Sequence, residues 1–327
     1  MFVPPSRTLI LIVAFGIEAV LAYPASLFRA IGHPVSWIGS LISALESRLN
    51  WPDYSDVMRR ATGIVTVLVL VMVSLVAGLA LDIVTRVPVL GFVIAVVVVA
   101  ALVAAGSLDK HVRAVATALR TEGLVGGRQS IAKIVGRDPH ALDQAAICRA
   151  AIESLAENAS DGVTAPAFWF LLGGLPGMIA YKAINTADSM IGHLSDRYRA
   201  FGWAAARLDD LVNWPASRLT GLIFITAAWV VPGASAAAAW EAFRRDARLH
   251  RSPNAGWPEA AMAGALGLRL AGPRVYDGKS VDDHWMGDGR AEATVDDIGR
   301  ALTIYRVAIA GALFVVAIIG WLINALD

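Results

Sequence analysis

The sequence is poor in cysteine and in charge, and it lacks the common nucleotide and metal motifs. A single cysteine, Cys148, excludes an intramolecular disulfide. Only 17% of residues are charged, and the mean hydropathy is +0.59, which excludes a disordered chain and an ordinary water-soluble domain. The net charge of +1 gives no reason to expect nucleic acid as a partner. We find no Walker A loop, no dinucleotide-binding glycine motif, no zinc-type Cys/His spacing and no Ser/His/Asp triad.

Long apolar stretches are what the sequence does contain. Five of them, namely 8–28, 61–108, 163–183, 217–240 and 303–323, hold 135 residues and only six charged side chains, so the rest of the chain carries charge at the density of a water-facing protein. The stretch 61–108 is long enough for two helices. About 20 apolar residues suffice to cross a bilayer. We therefore predict an all-α, polytopic integral membrane protein that forms a single membrane-embedded domain over residues 1–327. The predicted plain membrane helices are 8–28, 61–81, 87–108 and 303–323.

Two further apolar segments, 163–183 and 217–240, are interrupted near their middle. Gly173–Gly177 reads GGLPG and Val230–Ser235 reads VVPGAS. Glycine and proline break the helical hydrogen-bond ladder, so each segment is either a kinked spanning helix or a re-entrant one. Lys and Arg concentrate in regions 29–60, 109–162 and 241–302, which we therefore expect to be cytoplasmic. The predicted polar, site-forming regions are 109–162, 184–216 and 241–302.

A first group of polar residues precedes segment 163–183. Glu153, Glu157 and Asp161 recur at i, i+4 and i+8, which would place three acids on one side of a helix, with Asn158 beside them. Hard divalent cations bind carboxylate oxygens, so magnesium or a magnesium nucleotide is one interpretation. The alternative is a solvated acidic helix end.

A second group follows the same segment. Lys182, Asn185 and Asp188 fall on one helical side at the predicted membrane boundary, where ionisable residues are typical of functional sites. Pro215 is expected to end the local helix. A compact cluster stands before it, for which structural Arg–Asp pairing is the alternative: Arg207, Asp209, Asp210 and Asn213.

A third group forms a turn at residues 252–258, with Ser252, Asn254 and Gly256, followed by a helix predicted to have Pro258 at its first position. Helix N-termini bind anions, so the turn is a candidate phosphate site, and a purely structural turn is the alternative. Small residues along the following helix would permit close packing against a neighbour.

Four runs spread over these groups resemble the CobD/CbiB family of cobalamin biosynthesis, the adenosylcobinamide-phosphate synthases. They read ESLAENASDGVTAPAFW, GGLPGMIAYKAINTADSMIGH, FGWAAARLDDLVNWPASRLTG and SPNAGWPEAAMAGALGLRLAG. The resemblance implies a membrane ligase that joins adenosylcobyric acid to aminopropanol, or to its phosphate, using ATP and Mg²⁺. Phosphorylation of a carboxylate by ATP is the usual way to prepare it for attack by an amine, and the reaction needs cations against the phosphates and a site that excludes water.

The resemblance also gives hypothetical roles to the polar residues. Magnesium or nucleotide binding falls to Glu153, Glu157, Asn158 and Asp161, and the catalytic carboxylates are Asp161, Asp188, Asp209 and Asp210. Cofactor binding falls to Lys182, Asn185, Arg207, Asn213, Ser252, Asn254 and Gly256. His33 is interpreted as a turn residue rather than a catalytic base.

The resemblance places the protein in the cell inner membrane with its site facing the cytoplasm, where it could work with later membrane enzymes of the cobalamin pathway. Two other functions compete with the ligase. One is a corrinoid transporter, because transporters also use broken helices with charged residues near them. The other is a membrane sensor like the AmpE family. The sequence does not specify which amine is used.

Overall fold

The computed structural model describes residues 6–21, 32–135, 142–276, 279–281 and 283–326. The fold is all-α, as predicted. In chain order the helices are α1 Arg7–Leu21, α2 Pro34–Leu49, α3 Asp56–Val84, α4 Leu90–Leu102, α5 Ala105–Ile131, α6 Gln144–Asn158, a π-helical segment Ala159–Thr164, α7 Ala165–Ile191, α8 Trp203–Ala228, α9 Ala236–Arg245, a 3₁₀ turn Ala247–Leu249, α10 Gly256–Leu266 and α11 Val295–Leu326.

Within the described ranges, four helical stretches are long and apolar enough to cross a membrane: Asp56–Val84, Leu90–Ile131, Gln144–Ile191 and Val295–Leu326. They include the predicted helices 61–81, 87–108 and 303–323 and the broken segment 163–183. Helix α1, with 15 residues, corresponds to the first part of the predicted helix 8–28. Residues 22–28 of that prediction lie outside the described part of the chain. Whether 163–183 and 217–240 span or re-enter stays a prediction.

The chain divides into two compact units. The first comprises Met1–Ala104 and Ala165–Asn213, and the second comprises Ala105–Thr164 and Trp214–Asp327. In the first unit, α3 packs against α7, and α2 packs against both. Its core is built from Ile42, Val67, Leu70, Ala183, Ala187, Ile191, Phe201 and Ala205.

Helix α7 bends where the sequence predicts an interruption. Gly174 takes a left-handed φ of 63°, which glycine adopts without a steric penalty. Pro176 lacks an N–H, so the carbonyl of Leu172 loses its helical donor. Nη1 of Arg7 donates to the carbonyl oxygens of Leu171 and Leu172 at 3.0 and 2.8 Å. The arginine of α1 thus satisfies backbone groups that the bend in α7 releases.

The second unit packs α5 and α6 together, α9 against α10, and α11 against α5 and α6. Helices α9 and α10 approach very closely, as the small residues of α10 predict, because a Cβ at Gly264 would lie 2.3 Å from the carbonyl oxygen of Ala238. The interruption of segment 217–240 lies between α8 and α9, where Gly233 has a φ of 77° and Ser235 caps α9 by accepting the Ala238 N–H.

Two features of the polar regions differ from expectation. Pro215 does not end its helix, because α8 continues through it to Ala228. Pro215 lacks a backbone N–H, and the effect of this loss on the helix is local. In the preceding turn, the carbonyl oxygen of Val212 accepts the indole N–H of Trp169 at 3.1 Å. Region 241–302 also contains short antiparallel ribbons, which pair Leu270–Ala271 with Trp285–Met286 and Arg274–Tyr276 with Lys279–Val281.

Candidate functional site

The first unit brings together the second group of predicted residues. Helix α7 supplies Asn185, whose Nδ2 donates to Oδ1 of Asp209 on α8 at 3.3 Å. One turn earlier on α7, the buried hydroxyl of Tyr181 donates to Oδ1 of Asn213 at 2.8 Å. These bonds fix the facing sides of α7 and α8, and Tyr181 is a contributor that the sequence patterns did not reveal.

Asp209 is the most perturbed carboxylate of this group. It is 8% exposed and lies outside the four candidate membrane spans. Burial, followed by the nearby charge of Asp188, raises its pKa to about 7, while hydrogen bonds from Asn213 and Asn185 lower it in part and Asp210 raises it further. Asp209 therefore exchanges a proton near neutral pH, where a general base works best.

Asp188 and Asp210 complete what we call the carboxylate cluster (Asp188, Asp209 and Asp210). Burial raises the pKa of Asp210, and its ion pair with Arg207, at 3.1 Å, opposes that rise. Asp188 lies against Gly192, where a Cβ would stand 2.0 Å from its Oδ1. Glycine at that position leaves the room that the Asp188 carboxylate occupies.

Lys182 is half-buried on the same helix as Asn185 and Asp188. Its charge, together with the larger effect of burial, lowers the pKa of His33. His33 is the N-cap of α2 and accepts the Val35 N–H at 3.2 Å. That position fits its interpretation as a turn residue.

The first predicted group lies in the second unit and is not one regular helical face. Helix α6 ends at Asn158, and the π-helical segment that follows carries Asp161, so the i, i+4, i+8 spacing does not hold across the three acids. Glu153 is 5% exposed, and its Oε1 accepts the Ala271 N–H at 2.9 Å. The Asn158 amide donates to the carbonyl of Ser154 at 2.9 Å, and Glu157 is exposed.

Among the described residues, no three His, Cys, Asp or Glu side chains are arranged to hold a metal ion. A magnesium ion carried by a nucleotide needs only one or two protein carboxylates, because phosphates and water complete its shell. Asp188 and Asp209 suit this requirement better than Glu153, because the Asp188 charge raises the pKa of Asp209 whereas a backbone donor meets Glu153. The donor chemistry of the carboxylate cluster therefore fits magnesium.

The third predicted group forms the turn before α10. The Ser252 hydroxyl accepts the N–H groups of Asn254 and Ala255, at 3.3 and 3.2 Å, and so closes the turn. Gly256 is required sterically, since a Cβ there would lie 2.3 Å from the Ala247 carbonyl oxygen. The turn is held by its own side chains.

Two arginines that received no predicted role stand beside this turn. Nη1 of Arg218 donates to Oδ1 of Asn254 at 2.8 Å, and its guanidinium lies 4.6 Å from the ring centroids of both Trp214 and Trp257. Arg248 lies 6.0 Å from the Trp257 ring. Two guanidinium groups around one indole make this part of the second unit a phosphate-binding candidate. The sequence signal for this contact was the spacing of Trp214 and Arg218, which stand four residues apart in the run NWPASRL and so lie on one side of a helix.

Comparisons with known proteins agree along almost the whole chain. The family model described as CobD/Cbib protein matches residues 11–305. Relatives named cobalamin biosynthesis protein CobD include that of Rhizobium meliloti (strain 1021), 50% identical over 92% of this chain and 93% of the relative, and that of Rhodobacter capsulatus, 46% identical over 94% and 96%. The CobD protein of Brucella melitensis biotype 1 is 51% identical over 85% of this chain and 86% of its own length. No solved structure matches the chain.

Proposed function

The chain belongs to the CobD/CbiB family and acts in cobalamin biosynthesis, and from this premise we propose that it is an ATP-dependent acid–amine ligase. The reaction would join adenosylcobyric acid to (R)-1-aminopropan-2-ol, or to its O-phosphate, and yield adenosylcobinamide or its phosphate. The observation that supports this best is Asp209, a buried carboxylate with a pKa of about 7 next to Asp188 and Asn185.

Amide formation needs a neutral amine, whereas an aliphatic amine is an ammonium ion at neutral pH. The ionised carboxylate of Asp209 would attract the ammonium group and accept its proton. The Asn185 amide, which donates to Asp209 Oδ1 at 3.3 Å, would orient that carboxylate. A pKa near 7 lets Asp209 accept the proton and release it again without a large energetic penalty.

ATP would supply the phosphoryl group that activates the substrate carboxylate, and Mg²⁺ would neutralise phosphate charge. In the first unit, Asp188 is the proposed magnesium ligand, with Lys182 facing the phosphates. In the second unit, Arg218 and the turn of Ser252, Asn254 and Gly256 are the proposed binders of a phosphate-bearing substrate. Arg218 is held ready by the indole of Trp257 and by Asn254.

We propose that the site faces the cytoplasm, because ATP and the corrinoid are found there. Arg199 is exposed in the polar region 184–216. A cysteine placed there by Arg199→Cys is expected to react with an impermeant maleimide only from the cytoplasmic side, since the native Cys148 is buried. Labelling confined to the periplasmic side would contradict a re-entrant arrangement of segments 163–183 and 217–240.

The deciding experiment supplies purified protein with adenosylcobyric acid, ATP, Mg²⁺ and either amine, and follows phosphate release and product mass. We expect an amide product with at least one amine, and the assay identifies which. If neither amine gives an amide, and the protein still binds the corrinoid, the ligase proposal fails in favour of a corrinoid transporter or a sensor like AmpE. A complex with later cobalamin enzymes is a further expectation, which co-purification tests.

A further inference from the structure

The second unit contains a groove that none of the proposed reaction steps uses. Helix α5 bends at Gly123, whose φ is 65°, so that residues on both sides of the bend line one open groove of about 440 Å³. Before the bend, the lining residues recur at helical spacing from Lys110 to Glu122. After the bend, the lining residues run from Gly126 to Lys133. The polar members are Lys110, Arg113, Thr117, Glu122, Gln129, Ser130 and Lys133.

The groove carries an excess of positive charge. Among the described residues, Lys110, Arg113 and Lys133 line it, against one lining acid, Glu122. Asp109 pairs with Arg113 and also with Arg306, which is not among the described lining residues, so the two lysines keep the groove positive. Lys110 and Lys133 are exposed. The groove therefore attracts an anion.

Contacts with α11 fix the depth of the groove relative to the apolar part of this unit. The Tyr305 hydroxyl donates to the Ala105 carbonyl at 2.9 Å, and Arg306 pairs with Asp109 at 2.6 Å. Further along α5, Arg120 pairs with Asp296 at 2.7 Å, so the two helices run antiparallel. The apolar run of α11, a candidate membrane span, starts just after Arg306.

Lys110 and Arg113 follow Asp109 by one and four residues, which corresponds to about 1.5 and 6 Å along a helix. The polar layer on each side of a bilayer is about 5–8 Å thick. With the apolar run of α11 placed in the bilayer, the cationic end of the groove would lie at the level of lipid headgroups. Side-chain hydroxyls and amides of Thr117 and Gln129 add uncharged donors.

We infer that this groove binds a phosphate group at the membrane surface. Lysine and arginine are the side chains that bind phosphate most strongly, and each contributes to attraction at an anionic surface. The phosphate has two sources of the same chemistry: the headgroup of an anionic lipid, or a soluble phosphorylated compound. The experiment separates them.

The test compares the full-length wild type with the double variant Lys110→Gln/Lys133→Gln and with a control, Arg48→Gln/Arg86→Gln. The control also removes two exposed cations, but from outside the groove. Binding of phosphatidylglycerol is measured by native mass spectrometry of the detergent-purified protein, with phosphatidylcholine as the neutral reference. Binding of inorganic phosphate and of ATP is measured by equilibrium dialysis, and thermal unfolding verifies that all three proteins are folded.

We expect the groove variant to lose affinity for one phosphate source by at least about tenfold, and the control to lose less than about threefold. Loss for phosphatidylglycerol alone identifies a lipid site, and loss for phosphate or ATP alone identifies a soluble ligand. Equal binding by the groove variant and the control for all three probes would overturn the inference. The binding measurements are independent of ligase activity, so failure here leaves the proposed reaction untouched.

Discussion

Replacement of Asp209 by asparagine is expected to stabilise the protein while it abolishes ligase activity. The pKa of this carboxyl rises from 3.8 to about 7 in the folded protein, chiefly because it is buried and secondarily because Asp188 is close. A group whose pKa is raised on folding holds its proton more tightly in the folded state. The free energy of unfolding therefore falls as pH rises from about 4 through 7.

The size of the effect follows from the shift. Each pKa unit corresponds to about 1.36 kcal/mol, so ionised Asp209 destabilises the folded protein by up to about 4 kcal/mol at pH 8. Asparagine has the same shape, can accept the Asn185 hydrogen bond and carries no charge. It gives up the stronger hydrogen bond that a carboxylate accepts, so we expect a net gain of about 1–3 kcal/mol at pH 8 and a smaller one at pH 5.

The assay is thermal unfolding in detergent with a metal chelator present, followed by tryptophan fluorescence at pH 5, 6, 7 and 8. The wild type should lose stability across this range relative to Asp209→Asn. The matched control is Asp53→Asn, which removes an exposed carboxylate of the same unit. An unfolding temperature for Asp209→Asn at or below that of the wild type at pH 8 would refute the electrostatic reasoning.

Three other predictions concern the same chain. Asp188→Asn, correctly inserted, should lower the rate of amide formation at least about a hundredfold. Asp161→Asn should lower it as well if the acids near α6 take part in the reaction. Near-normal activity in both variants would contradict the carboxylate hypothesis. Gly192→Ala should reduce activity by displacing Asp188, whereas Gly299→Ala, where a Cβ meets nothing within 4 Å, should not. Arg7→Gln should lower the free energy of unfolding by about 1–3 kcal/mol through the released carbonyls of α7, and an unchanged unfolding temperature would contradict that role.

The sequence predicts the helices and their interruptions well because those depend on local chemistry. Apolar length gives the membrane spans, and GGLPG gives the bend at Gly174. The prediction for Pro215 was wrong because a helix interior tolerates proline when neighbouring packing supports the helix on both sides. Proline's local preference is a bias that tertiary contacts override.

The site was less predictable because its partners are far apart in sequence. The spacing of Lys182, Asn185 and Asp188 correctly placed them on one helix, but only the fold reveals that Asn185 meets Asp209. Asp161 does not continue the spacing of Glu153 and Glu157 because the π-helical segment that carries it changes the helical register. The bond between Glu153 and the Ala271 N–H crosses more than a hundred residues, and no periodicity signals it.

The bond from Arg7 to α7 has a consequence for biogenesis. Helix α1 leaves the ribosome long before Leu171 and Leu172, whose carbonyls its arginine later binds. Until the two helices meet, the bend in α7 exposes polar backbone to lipid, which is unfavourable. An early helix therefore completes the insertion of a much later one, and a chain that lacks α1 should be recognised by membrane quality control as incompletely assembled.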